Sequence, residues 1–342
     1  MDLERMAASV IDTRGGSRVL GSRNQVERAF ERGDLVRLRP GLYVRSGTWI
    51  GASSRERLAL QAFALHRSIP GTVFLGETAL LLQGFDTLLC PTTVDVLDAG
   101  GGRAGARAET YALKRAGTEE ALPVPVRGRR PCWPTAQTKE VGGITVVDVP
   151  VALADVAAHL SFPRALAVAD AIARRYGGVP LAQRPEFIAA GEGLPYGLWR
   201  RRARAVLEHS SPLSESVGES MSRAVIVASG FEAPELQAEV WDAGRFVARP
   251  DYTWKRWGLL GEFDGLIKYT DPALTGAAGA AGAISAERAR QRRLESLGWT
   301  VIRWEWKVAA TPDALAAVLR RAGLRQGEPL ADLVLWRPPR HH

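Results

Sequence analysis

The stretch ELQAEVWDAGRFVARPDYTWKRWGLLGEFDG (235–265) decides how the C-terminal third folds. Residues 235–254 read as two strands around the turn Asp242-Ala243-Gly244, and GLLGEFDG as a third strand after Lys255-Arg256-Trp257. Working outward, LSESVGESMSRAVIVAS (213–229) has the spacing of a helix with Val217, Met221, Ala224 and Val225 inward, stopped by Gly230. An arginine-rich helix (285–297) leads through Gly298 to a last strand, TVIRWEW. The Gly/Ala stretch TGAAGAAGAIS (275–285) lacks the Lys-Ser/Thr of a phosphate loop and reads as a flexible linker.

Asp251 stands at the end of one of these strands, while Glu262 and Asp264 lie two apart on the next and so share a face. Three acids gathered there repel one another unless a cation joins them. Hard Mg²⁺ or Mn²⁺, held by a few carboxylates and waters, is the ion such a set suits, and phosphodiester hydrolysis is the chemistry it serves. The alternative is structural, with Asp251 capping the turn and Glu262 and Asp264 pairing with Arg249, Arg288 or Arg303. Arg303 alternates with Ile302, which puts it on the acid face as a candidate phosphate contact. Trp299, Trp304 and Trp306 read as core and sheet-edge packing.

Helix, three-stranded meander, helix and strand is the order of the restriction-endonuclease-like α/β/α core. Residues 212–308 resemble the PD-(D/E)XK nuclease superfamily near the very-short-patch-repair endonucleases, on Pro250-Asp251, Glu262-Phe263-Asp264-Gly265 and Lys268-Tyr269. The resemblance implies metal ligands at Asp251, Glu262 and Asp264, a first-helix acid at Glu219, a strand glutamine at Gln237 and a displaced lysine at Lys268. The usual lysine position, two after the glutamate, holds Asp264.

At the other end, SRNQVERAFERGDLVRLRPGLYVRSG (22–47) reads as a helix with Val26, Ala29 and Phe30 on one face, then a hairpin turned at Arg39-Pro40-Gly41. Such a helix and wing suit duplex DNA, with Arg23, Arg28, Arg32, Arg37 and Arg39 as candidate contacts. A small helix packed on a hairpin with solvated arginines is the plainer alternative. This segment resembles the winged-helix domain of AbiEi-type antitoxins of type IV toxin-antitoxin systems. The resemblance extends through GTVFLGETALLLQGF (71–85), PTTVDVLDAG (91–100) and GGITVVDVPVALADVAAHL (142–160), where Pro150 and Asp155 fit the pattern and Ala152 and Leu153 replace its Arg-Thr pair. It implies a transcriptional repressor or antitoxin with a nucleotidyltransferase toxin as partner.

Between these landmarks, residues 99–142 read as loops and short strands, with a weak strand signal at 109–114. Helices follow at 164–175 and 197–209, the second carrying Arg200 and Arg201 in a run that either tracks a phosphate backbone or is a solvated face. The expected architecture is α+β and multidomain: a winged helix-turn-helix (1–50), an α/β middle domain (51–209) and the nuclease-like domain (210–342). The chain has 342 residues and a net charge of +8 from 45 Lys+Arg against 37 Asp+Glu, mostly arginine. That excess fits double-stranded DNA as partner, or the arginine usage of a GC-rich genome. No apolar run long enough to span a membrane and no leader pattern occurs, so the expectation is a cytoplasmic protein. Cys90 and Cys132 have neither disulfide-scaffold nor zinc spacing.

Overall fold

The structure is a computed structural model that describes residues 1–14, 23–85, 87, 90, 91, 93–97, 105–107, 125–129, 133, 136–265, 277–330 and 333. The chain is an α+β protein of two compact units, Met1–His159 with Pro185–Ala203, and Leu160–Arg184 with Arg204–His342. Among the described residues, no helix is long and apolar enough to cross a membrane.

The first unit begins with α1 (Leu3–Ser9), β1 (Ile11–Asp12), α2 (Arg23–Glu31), β2 (Leu35–Arg39) and β3 (Leu42–Arg45). These strands form a sheet in the order β1-β3-β2, and Val26 and Phe30 of α2 bury against Leu35. Gly41 turns the hairpin with φ of 75°, a conformation open to glycine. After α3 (Ser46–Gly51) comes α4 (Ser54–Ser68), whose start is fixed by a capping box between Ser53 and Glu56.

Next in the same unit are β4 (Val73–Phe74), α5 (Gly76–Leu82), β5 (Val94–Leu97), β6 (Gly105–Arg107), β7 (Val126–Arg129), β8 (Thr138–Val141), β9 (Ile144–Val147) and α6 (Val149–His159). The strands make one mixed sheet in the order β6-β7-β5-β4-β9-β8. Asp95 and Asp155 are buried in this unit and held by arginines: Arg127 reaches Asp95 at 2.6 Å and Arg129 reaches Asp155 at 2.9 Å. The weak strand signal at 109–114 lies outside the described residues.

Helix α7 (Phe162–Tyr176) belongs to the second unit, α8 (Pro185–Glu192) to the first, and α9 (Gly197–His209) runs across the boundary. The middle domain expected over 51–209 is therefore divided between the two units. A buried ion pair joins α7 to the second unit alongside its apolar packing: its Asp170 is fully buried and bonded to Arg223.

The rest of the second unit is α10 (Val217–Ala228), β10 (Glu235–Leu236), β11 (Val240–Asp242), β12 (Arg245–Ala248), β13 (Tyr252–Trp254), β14 (Leu259–Asp264), α11 (Ala277–Ser296), β15 (Thr300–Glu305), α12 (Trp306–Ala309) and α13 (Pro312–Arg321). Its main sheet runs β10-β13-β14-β15, antiparallel from β13 to β14 and parallel from β14 to β15. One face packs Tyr252, Trp254, Leu259, Phe263 and Trp304 with Val225, Leu315 and Leu319 of the helices. The other packs Leu260 on Leu294 of α11.

Two local expectations change. Residues 277–285, expected as a linker, are helical and open α11, because alanine is the strongest helix former and outweighs the interspersed glycines. The hairpin β11–β12 is a separate two-stranded sheet, not part of the meander. Pro250, which has no N–H to donate, separates β12 from β13.

Candidate functional site

Strand register sets up the site. Leu236 pairs with Tyr252, and one residue on, the Gln237 N–H donates to the Asp251 carbonyl at 3.3 Å. Tyr252 pairs with Gly261, so the same antiparallel register carried one step further sets Asp251 opposite Glu262. Glu262 in turn pairs with Arg303 across the parallel ladder. Gln237 and Asp251, each one residue beyond its strand, therefore continue a transverse row with Glu262 of β14 and Arg303 of β15.

Glu219 approaches this row from the first turn of α10. Ser216 caps that helix, accepting from the Glu219 N–H, while the Glu219 carboxylate reaches back to accept from the Glu215 N–H at 2.7 Å. The side-chain amide of Gln237 lies between two acids, its Nε2 at 3.4 Å from Glu219 Oε2 and 3.3 Å from Asp251 Oδ1. Gln237 does this from a left-handed backbone with φ of 53°, which an L-residue other than glycine seldom adopts and which costs about 1 kcal/mol or more. The second Asp251 oxygen accepts from the Phe263 N–H at 2.8 Å. Burial, and then the charge of Asp251, push the Glu219 carboxyl above its usual range.

Close packing holds this arrangement. A Cβ on Gly218 would sit 2.1 Å from the Phe263 ring, so glycine is what lets β14 approach the first turn of α10. Tyr252, wholly buried, donates its hydroxyl to the Glu219 carbonyl at 2.7 Å, and burial drives its phenol far above the ordinary value.

Glu262 has a different environment. It accepts from Arg303 Nε at 2.7 Å and pairs with Arg290 at 3.2 Å. Both arginines also bond Glu287 of α11, and Arg303 reaches Gln291 at 3.4 Å. The hydrogen bond from Arg290 holds the Glu287 carboxyl below its usual range. Asp264 lies on the same strand face as Glu262, where its charge acts on Arg303.

The predicted residues thus divide. Glu219, Gln237 and Asp251 meet at one point, and Glu262 is held by arginines beside them. Among the described residues, no three His, Cys, Asp or Glu side chains are grouped to hold a metal ion. Lys268 lies outside the described residues. Of the arginines considered as ion-pair partners, Arg303 fills that role, Arg249 pairs instead with Glu215 at 2.7 Å, and Arg288 is exposed. Sequence reasoning missed Glu287, Arg290 and Gln291. Their spacing from buried Leu294 was the available signal, since positions three, four and seven apart share one helix face.

In the first unit, Arg23 opens α2 and Arg28 is exposed on it. Arg32 is exposed and pairs with Asp34 at 2.9 Å. Arg37 lies over the Phe30 ring at 5.4 Å, and Arg39 ends β2 at the hairpin turn. On α9, Arg200 is partly buried and donates to the Leu194 carbonyl at 2.7 Å, which ties it to its own unit, while Arg201 is exposed.

No protein-family model matches the chain, and no solved structure matches it significantly. Over 151 residues it is 29% identical to two Mycobacterium tuberculosis proteins, "Uncharacterized protein MT2308" of strain CDC 1551 / Oshkosh and "Uncharacterized protein Rv2248" of strain H37Rv. The match covers 43% of this chain and 50% of each relative, so the chain spans about half the length of the curated relatives it matches.

Proposed function

We propose that the second unit is a restriction-endonuclease-like domain that hydrolyses phosphodiester bonds of double-stranded DNA with Mg²⁺ or Mn²⁺, and that α2 with the β2–β3 hairpin forms a winged helix that binds the duplex. The observation that carries this reading is Gln237, held in a left-handed backbone with its amide between the carboxylates of Glu219 and Asp251. Backbone strain of that kind persists where the surroundings enforce it, and it concentrates at functional sites.

Two carboxylates would be the start of a site for a hard divalent ion, one that water would have to complete. Glu219 and Asp251, which repel each other, would be its oxygen ligands, and the Gln237 amide would supply a neutral oxygen if it turned end for end from its present donor orientation. Such an ion supplies polarisation of the phosphoryl oxygen and activation of water. The chain's own residues do the rest. Arg303 and Arg290 carry guanidinium forks of the kind that match phosphate oxygens, and a phosphate would take them over from Glu262 and Glu287, which hold them now. On the first unit, Arg28 of the helix, Arg32 in the turn after it, and Arg37 and Arg39 of the hairpin offer phosphate contacts.

Supercoiled plasmid incubated with pure protein and Mg²⁺ or Mn²⁺ tests the reading. Wild type is expected to nick it, EDTA to stop the reaction, and Asp251→Ala or Glu262→Ala to slow it at least about a hundredfold, the scale of losing one electrostatic contribution at a reacting centre. Absence of metal-dependent nicking by wild type removes the nuclease reading. A second reading, favoured by the two-arginine clamp on Glu262 and by Asp264 in the lysine position, is a non-cleaving DNA-binding repressor or antitoxin partnered by a nucleotidyltransferase toxin. It predicts sequence-specific duplex binding in EDTA together with no nicking in either metal.

A further inference from the structure

We propose that the β11–β12 hairpin is a stacking platform for unpaired bases of single-stranded DNA, with Trp241 and Phe246 as its rings and Arg245 as its phosphate contact. The proposal rests on the DNA-binding part of the reading above and is independent of cleavage. Trp241 and Phe246 are 55% and 54% exposed, and they face each other in the strand register. Their centroids are 5.7 Å apart with planes at 78°, a T-shaped pair kept out of the core. Apolar residues scattered singly on a surface need no explanation, and here two large exposed rings lie together.

The hairpin is built to hold them there. Ala243 and Gly244 both take left-handed backbones, with φ of 46° and 77°, the pattern of the two-residue turn whose twist matches its strands. Val240 and Ala248 are buried with Leu260 and Leu294, which anchors the base of the hairpin. The Trp241 indole N–H donates to Glu239 at 3.0 Å, fixing the ring.

The same segment connects Gln237 to Asp251, so the platform and the acid pair are carried on one short stretch of chain. Charge selects the ligand. The hairpin's acids are engaged, Asp242 by Arg293 and Glu239 by the indole, while the guanidinium of exposed Arg245 has no hydrogen bond or ion pair among the described residues. Exposed aromatic faces beside a spare guanidinium are complementary to base and phosphate together. In a duplex the base faces are covered by their neighbours, so the ligand is the unpaired strand.

Anisotropy titration in EDTA, with one labelled 20-nucleotide DNA as single strand and as duplex, tests this. Trp241→Ala is expected to weaken single-strand binding about tenfold, which is 1.4 kcal/mol, and duplex binding less than twofold, with Trp241→Phe retaining most of the affinity. Base analogue 2-aminopurine in the single strand is expected to be quenched by wild type and not by Trp241→Ala. Unchanged single-strand affinity in Trp241→Ala and Phe246→Ala overturns the proposal. So does self-association of wild type that both substitutions abolish, which would make the rings a contact between copies. Failure of nicking bears on the nuclease reading alone, since no metal is present in these titrations.

Discussion

Removing the Asp170 carboxylate is expected to destabilise the second unit by several kcal/mol. Asp170 is fully buried, its two oxygens accept from Arg223 Nη2 at 2.7 and 2.6 Å, and Oδ1 also accepts from the Ser211 N–H at 2.8 Å. Arg223 is nearly as buried and donates further to the His209 carbonyl. Asp170→Ala leaves a guanidinium without its counter-charge, which costs about 3–5 kcal/mol, and an N–H without its acceptor, about 1 kcal/mol more. In a unit of this size each kcal/mol lowers the melting temperature by about 2–4 °C, so calorimetry should show a drop on the order of 10 °C or more. Replacing both partners by apolar side chains, Asp170→Leu with Arg223→Met, is expected to restore most of the loss, since a buried pair and a well-packed apolar pair are of similar worth. A loss under about 1 kcal/mol for Asp170→Ala, or a double variant as unstable as the two single losses combined, would refute the argument that an unmatched buried charge sets the penalty.

Three further outcomes concern the second unit. Burial and the charge of Asp251 raise the Glu219 carboxyl, so its contribution to stability is full below the ordinary carboxylate value of about 4.3 and lost as pH rises through the raised value; Glu219→Gln should flatten the fall in melting temperature toward neutral pH in metal-free buffer, and an unchanged slope would count against it. His209 is held below its ordinary value of about 6.5 by burial and by Arg223, so stability is present above that value and lost as pH falls through the lowered one; melts of His209→Gln on the acid side of neutrality should show less of that loss than wild type. Gly218→Ala drives a methyl into the Phe263 ring and should cost about 1–3 kcal/mol in urea unfolding, whereas a neutral effect would mean that β14 can move away from α10.

The residues of the transverse row were legible because strand alternation and register are local. Asp251 and Glu262 flank a short connection, and two-residue periodicity sets Glu262 and Asp264 on one face. Gln237 and Glu219 came from the resemblance to nucleases, yet the sequence also held a plainer clue to Glu219. Ser216 and Glu219 have capping-box spacing, and the carboxylate does satisfy a backbone N–H at the start of α10, one residue earlier than that motif would have it. Of the arginine clamp, Arg303 was legible as a partner of Glu262 and Arg290 was not, because α11 lies in the long connection between the parallel strands β14 and β15 and nothing local in Glu262 names it. The linker expectation at 277–285 took glycine as decisive where alanine propensity prevailed. The discontinuous second unit was hidden for a similar reason: Asp170 on α7 looks like one polar position in an amphipathic helix until its partner, 53 residues later, is known.

That separation in sequence has a consequence for synthesis on the ribosome. Asp170 leaves the exit tunnel well before Arg223, and at about 5–20 residues per second the interval is about 3–10 s. During those seconds α7 is a nascent helix whose carboxylate must stay hydrated and whose apolar side has no docking surface of its own unit. A fragment of the unit that begins after α7 would bury Arg223 without its carboxylate, leaving the His209 carbonyl as acceptor but no counter-charge, and is expected to be destabilised accordingly. Vectorial folding here proceeds from an early helix held in waiting to a late helix that closes on it.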